Sequence, residues 1–406
     1  MTISFNKEKT NRFVQGVLIT LILSASAIRM YNSYVLEMDI IYSLLRIALI
    51  AFGLTLVLMN NFKLIKPLTV VVLIMGTVFL HYLIFTDNRP YIISTFSENW
   101  IYAVVLFITV YIVSYEVLEK SMIVSAAIIL FMDILLILSP LYVRLFTDYG
   151  YGGVGAVYSY SLLFPAVVFL YCFNKWKKWY LLIPSLAAFY LIVVYGSNRM
   201  SMICYILYVF YVFFFSKKGL SVKKIITTLI LMIGAIAIAI NLKGIVGWII
   251  QISGISDYSP RILKLLSSDT FLYTSGRDDI FSVLASKVLS GEGVLGYGIN
   301  GDRVLTHSHE YAHNIFMELL IEFGIVIGLF IIVMIVYMTV KAVNKRTRFN
   351  SILPVLFCTH IIALFVSGTF WTSNFFWMYI SICLSILFPA TLETSKRKEI
   401  VENGIV

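Results

Sequence analysis

The sequence predicts an all-α, polytopic integral membrane protein, and three observations carry that prediction. Of its 406 residues, 60% are hydrophobic and only 13% charged, with a mean hydropathy of +0.92; a water-soluble chain of this length is far more polar. Apolar runs long enough to cross a bilayer as helices recur from end to end. Lys and Arg gather in alternate connectors rather than being spread evenly.

The apolar runs fall near 13–30, 40–59, 66–85, 99–117, 121–139, 156–173, 179–196, 200–216, 224–242, 312–340, 351–369 and 371–390. That is about twelve spans. The one long connector is 243–311. It divides the chain into 1–242 (nine spans), 243–311 (a loop carrying short amphipathic helices) and 312–406 (three spans and a tail). The first run follows a short basic leader, lacks a small-residue cleavage site and is followed by more spans, so it reads as a first span and not as a cleaved signal peptide.

With the N-terminus inside, the inner segments hold Lys7, Lys9, Arg12, Lys63, Lys66, Lys120, Lys175, Lys177, Lys178, Lys217, Lys218, Lys223, Lys224, Lys341, Lys345, Arg346, Arg348, Lys396, Arg397 and Lys398, which are 20 of the 31 Lys and Arg. This positive-inside pattern places both termini in the cytoplasm and 243–311 outside. The net charge of +10 is therefore a topology signal, and no nucleic-acid partner is expected. Cys172, Cys204, Cys358 and Cys383 lie in or beside apolar spans without metal spacing, and read as small buried residues.

Ionisable residues inside spans are costly and point to sites. Arg46, His81, Asp133, Arg199, His313 and Glu318 all fall, by the span assignment, in the outer half of the membrane. Together they predict a polar, arginine-rich cavity that suits an anionic group at the outer leaflet. His360 lies nearer the midplane and reads as a core histidine. In the loop, Ser275 and Asp278 resemble a capping box, and Asp279 reinforces the helix start. Ile280, Phe281, Leu284 and Val288 then predict a short amphipathic helix on the membrane plane, with Arg277 at its start. The glycine-rich stretch 291–298 lacks the strand and lysine of a phosphate loop.

The tenth span has no helix breaker between Tyr311 and Val340. An uninterrupted helix there would be roughly 45 Å long, with Asn314, Glu318 and Glu322 in one polar stripe and Gly324 and Gly328 spaced for close approach of a neighbouring helix. His313 opens this span as a titratable group suited to proton transfer near neutrality. His309-Glu310-Tyr311-Ala312-His313 also spells H-E-x-x-H, which on a helix pairs two histidines for zinc. No third ligand is placed for it, and a membrane metalloprotease is kept as an alternative.

Ser275-Gly276-Arg277 before an amphipathic helix, Gly296-Tyr297-Gly298, Ala312-His313-Asn314, Glu318 and Glu322 ahead of Gly324 and Gly328, and Ser197-Asn198-Arg199 form a combination. It resembles the bacterial O-antigen ligase and repeat-unit polymerase superfamily of membrane glycosyl-transferring enzymes. The motifs cover about residues 195–200 and 274–328; the family pattern near Arg199 is Ser-Arg, and here Asn198 intervenes. The resemblance implies a glycosyltransferase in the bacterial cytoplasmic membrane, using an undecaprenyl-diphosphate-linked oligosaccharide as donor and a glycan as acceptor. A flippase and a chain-length regulator would be its accessory partners. It implies His313 as general base, Arg199 and Arg277 as the diphosphate clamp, and Glu318 as support. Arg46 is a further substrate-binding candidate from the cavity. No cofactor or metal is expected, because a lipid diphosphate is a good leaving group. Polymerase is favoured over ligase because no soluble acceptor-binding domain is appended. A lipid-linked sugar transporter is the remaining alternative, and would need the arginines without the base.

Overall fold

The computed structural model describes residues 7–31, 39–97, 100–139, 153–195, 198–214, 248, 277–290, 292–306 and 311–389. All regular structure among them is helical. In chain order the helices are α1 (Lys7–Tyr31), α2 (Asp39–Asn60), α3 (Ile65–Ile84), α4 (Arg89–Ser97), α5 (Trp100–Ile112), α6 (Tyr115–Leu138), α7 (Gly153–Trp176), α8 (Leu182–Tyr195), α9 (Arg199–Phe214), α10 (Arg277–Leu289), α11 (Gly301–Leu305), α12 (Ile315–Asn344), α13 (Leu353–Leu356) and α14 (Asn374–Leu387).

Among the described residues, six helical segments are long and apolar enough to cross a membrane: Lys7–Tyr31, Ile65–Ile84, Tyr115–Leu138, Val157–Trp176, Ile315–Asn344 and Arg348–Phe365. A seventh is Thr86–Ser97 with Trp100–Ile112, if their 53° bend is one broken span. The expected spans at 40–59, 179–196, 200–216 and 371–390 coincide with shorter apolar helices. Fourteen residues, as in α14, reach only about 21 Å, short of a roughly 30 Å hydrocarbon core. The chain is a multi-pass membrane protein. The expected ninth span, 224–242, and loop residues 243–276 other than 248 lie outside the described residues.

The chain forms two compact units. One comprises Met1–Ala25, Asp39–Ser125 and Thr274–Val406, and the other Ser26–Met38 and Ala126–Tyr273. In the second, α7, α8 and α9 pack together. Ser185 Oγ donates to Ala166 O at 2.7 Å, and the Phe189 and Tyr205 rings stack at 4.4 Å.

In the first unit, α5 packs on α14 through edge-on contacts of Trp377 with Trp100 and Phe107. Ser381 Oγ also donates to Phe107 O at 2.7 Å. A helix leaves its last carbonyls without partners, and here basic residues from elsewhere in the chain supply them. Lys345 Nζ reaches Ile386 O and Leu387 O, both at 3.2 Å, and Lys66 Nζ reaches Pro389 O at 2.8 Å. Lys345, which marks the inner side in the sequence, thus also caps α14, where positive charge suits the helix dipole, and Lys66 ties down the chain just beyond it. Roughly 22 Å of α3 separates Lys66 from His81, so the polar groups around His81 sit well away from this basic end.

The expected uninterrupted tenth span is not what forms. Gly324, inside α12, takes φ 78° and ψ 167°, and the helix breaks there. The chain turns back on itself: a Cβ on Gly328 would come within 2.7 Å of Leu319 O. Gly324 thus permits the break and the close approach of residues 294–296, and Gly328 lets the second arm come back against Leu319. Only residues 325–344 form a straight arm, about 30 Å long.

Candidate functional site

The break at Gly324 frees backbone carbonyls that must find donors in a buried setting. Ile321 O accepts from Tyr297 N at 2.7 Å, and Glu322 O from Gly298 N at 3.1 Å. Ile299 N donates to His81 Nδ1 at 3.0 Å and Asn300 N to Glu322 Oε1 at 2.8 Å. Asn88 Nδ2 adds bonds to Tyr297 O and Ile299 O at 2.7 and 3.0 Å. Four successive N–H groups, 297 to 300, are thus committed to protein acceptors. The end of the glycine-rich stretch closes the broken helix. Only glycine fits at the crossing, since a Cβ on Gly296 (φ +79°) would lie 2.5 Å from Gly324 N.

Three carboxylates are buried beside this crossing: Asp302, Glu318 and Glu322, at 1%, 2% and 0% exposure. Each oxygen accepts a hydrogen bond. Asp302 takes Arg303 N (3.0 Å) and Ala312 N (2.6 Å). Glu318 takes Thr369 Oγ1 and, at 3.3 Å, Phe370 N. Glu322 takes Asn300 N and, at 2.8 Å, Trp371 Nε1. Glu318 and Glu322 therefore hold the irregular 369–371 segment against α12. Non-helical backbone at membrane depth persists when it is tied into protein in this way. Burial pushes the Asp302 carboxyl above its usual range, partly offset by the Ala312 N–H and the Arg303 charge.

His313 sits in a bend just before α12, with φ +55°. Asn314 caps the helix, its Oδ1 accepting from Phe316 N at 2.9 Å and Met317 N at 3.1 Å, while its Nδ2 donates to Phe365 O at 2.9 Å. The Tyr311 ring lies 4.0 Å from the imidazole, and His313 Nδ1 is buried without a hydrogen-bond partner among the described residues. Arg277 opens α10 and donates from Nη1 to Val366 O at 3.0 Å. Burial and then the Arg277 charge push the His313 pKa down to about 4. The imidazole is therefore neutral at pH 7 and does not titrate near neutrality, contrary to the expectation from its type. Arg277 and His313 lie close enough for the Arg277 charge to add to burial in keeping the imidazole neutral.

α10 brings this about. Its Ile280, Leu284 and Val288 face packs on Ala312, Met317 and Ile321, so the apolar face expected on the membrane plane covers the start of α12 instead. Phe281, also assigned to that face, is 48% exposed. Ser275 lies outside the described residues.

The other candidates lie on other elements. Arg199 begins α9 in the second unit, where Asn198 Oδ1 caps Met200 N at 2.8 Å; its side chain lies outside the described residues. Arg46 lies on α2, its side chain likewise undescribed. Asp133 is buried in the second unit. Of the H-E-x-x-H motif, His309 and Glu310 are outside the described residues, and 311–314 are not helical. The i, i+4 pairing of histidines on a helix face is absent at its second histidine. Among the described residues, no group of three His, Cys, Asp or Glu is placed to hold a metal ion.

Sequence reasoning missed Asp302, Asn88, Thr369 and Trp371, whose roles depend on partners far along the chain. It also missed Arg303, a half-buried arginine whose Nε has no partner among the described residues. Gly-Asp-Arg at 301–303 was the one local hint, a charged pair in an otherwise glycine-rich turn. No protein-family model, curated protein or solved structure matches this chain. Fold and site together define a multi-pass, all-helical membrane protein with a histidine–arginine pair beside a broken helix.

Proposed function

We propose that this protein is a polysaccharide repeat-unit polymerase of the O-antigen ligase and polymerase superfamily. In this reading it transfers a glycan from an undecaprenyl-diphosphate carrier to an acceptor sugar hydroxyl. The reaction takes place at the outer face of the bacterial cytoplasmic membrane, in a chain of about twelve spans with both termini inside and 243–311 outside. The observation that carries the reading is the pairing of Arg277 with a neutral, strained His313 whose Nδ1 has no partner among the described residues.

The acceptor oxygen forms a bond to the anomeric carbon as the bond from that carbon to the diphosphate oxygen breaks. His313 takes the hydroxyl proton. Arg277 neutralises the charge on the departing lipid diphosphate, as planar guanidinium groups do well. A bound diphosphate beside Arg277 offsets its charge and so raises the proton affinity of His313. Donor binding thus strengthens the base. Glu318 supports the site by fixing the 369–370 segment.

The test is polymer synthesis in a deletion strain complemented with variants at equal protein level. His313→Ala removes the base and is expected to lower the rate about 10²–10⁴-fold. Arg277→Lys should recover only part of what Arg277→Ala loses, because a point charge lacks the bidentate fork. Single units retained on the carrier indicate a polymerase, and long chains stranded on the carrier a ligase. Wild-type polymer in both Ala variants would discard the assignment. Activity lost on chelation and restored by zinc, with an inactive Glu310→Gln, would move it to a metalloprotease. For orientation, Leu289→Cys should react with an impermeant thiol reagent from outside and Arg346→Cys should not; both positions are exposed.

A further inference from the structure

We infer that Asp302 is the positioning residue that fixes His313 in its working geometry. The inference rests on the reading of His313 as the base. His313 is a non-glycine residue with φ +55°, a backbone state that persists where the surroundings over-determine it. On its N-terminal side the constraint is Asp302, 1% exposed, whose Oδ2 accepts from Ala312 N at 2.6 Å. Its Oδ1 accepts from Arg303 N at 3.0 Å, which fixes the carboxylate's own orientation. On the C-terminal side the constraint is Asn314, tied to Phe365 O by its side chain. Arg277 is tied to the next carbonyl, Val366 O. The imidazole is therefore held from both flanks, and the cation beside it shares one of those anchors.

An aspartate suits this place because two backbone N–H groups converge on it from different segments, and it presents two acceptor oxygens and no donor. Asparagine offers one acceptor and one donor, so it can serve only one of the two N–H groups. Alanine serves neither, and leaves the Ala312 peptide free to turn His313 away.

The experiment is a double-mutant cycle on the full-length protein in nanodiscs, with a synthetic undecaprenyl-diphosphate-linked oligosaccharide as donor. Asp302→Ala is expected to lower kcat about 10²-fold, the scale of misplacing a reacting group by roughly 1 Å, while the donor KM is unchanged. Asp302→Asn should fall between the two. In a His313→Ala background, Asp302→Ala should cost nothing further, because it acts through the imidazole. The same fold-loss in both backgrounds, or an unchanged kcat, would overturn the inference. Should Asp302→Ala fail to insert, Asp302→Asn carries the same cycle, with kcat reduced in the wild-type background and not in the other. A fully active His313→Ala single variant removes the base reading itself, and is told apart because it needs no change at Asp302.

Discussion

The two arms of α12 are adjacent in sequence and opposite in character. Before Gly324 the helix is enclosed: Leu319, Ile321 and Glu322 are 3%, 0% and 0% exposed, and both glutamates are fully bonded. After it, Val326, Phe330 and Val333 are 63–68% exposed, a surface for lipid. One arm builds the candidate site and the other crosses the bilayer. A hydropathy window averages the two into a single long span. The difference teaches that the polar residues at the start of α12 are not span residues that happen to be polar. They belong to a separate short helix, clasped by the loop before it and the irregular segment after it.

The most damaging change to this arrangement is expected at the hinge itself. Gly324→Ala would place a methyl against the Val294 carbonyl and the Gly296 amide, in a backbone conformation essentially reserved for glycine. Strain and overpacking each cost about 1–3 kcal/mol. The variant should lose several degrees of thermal stability in detergent, or fail to accumulate. A Gly324→Ala protein as stable as wild type would mean that the two arms are one helix after all.

Much of the arrangement was legible in the sequence, and the rest was not for physical reasons. The positions of six spanning helices were, because burial in lipid demands apolar runs whatever the tertiary fold. Arg277, His313 and Glu318 were, because ionisable groups in such a chain are rare. The break at Gly324 was not, since glycine is common in membrane helices and nothing local marks this one. It is stabilised by donors at Tyr297 and Gly298, supplied from another segment. The span length at 371–390 was overestimated because the apolar run continues past both ends of α14 into non-helical residues.

A smaller loss is expected from Glu322→Gln within the enclosed arm. Glu322 accepts from two donors, Asn300 N and Trp371 Nε1. Glutamine would face one of them with its own N–H. An unmet buried donor costs about 1–3 kcal/mol, to be read as a lowered unfolding temperature. Val333→Ala on the lipid-facing arm should change stability by no more than about 0.5 kcal/mol. Equal effects at the two positions would erase the contrast between the arms.

Acidity separates the arms in a different way, because His313 belongs to the enclosed one. Its folded pKa of about 4 lies below the ordinary 6.5, so between those values the unfolded chain binds the proton more readily. The stability contributed by the neutral imidazole is fully present above about pH 6.5 and is lost as pH falls toward 4. Arg277→Ala removes the second of the two causes and leaves burial, so the folded pKa should rise only part of the way. NMR titration of the labelled histidine reads this directly. An unmoved titration would mean that Arg277 does not face His313.

The one stabilising prediction uses the same substitution as the most severe. Gly76 lies inside α3 and a Cβ there would meet nothing within 4 Å. It needs no positive φ and makes no close approach, so its glycine only adds backbone freedom to the unfolded chain and weakens the helix. Gly76→Ala should therefore stabilise the protein by about 0.5–1 kcal/mol, seen as a slight rise in unfolding temperature with activity unchanged. The sign matters more than the size. If Gly→Ala destabilises at both 324 and 76, membrane insertion or helix packing common to the whole chain is responsible. If it destabilises at 324 alone, the cost belongs to the crossing of Val294–Gly296 with Gly324, and the break in α12 is what those glycines exist to permit.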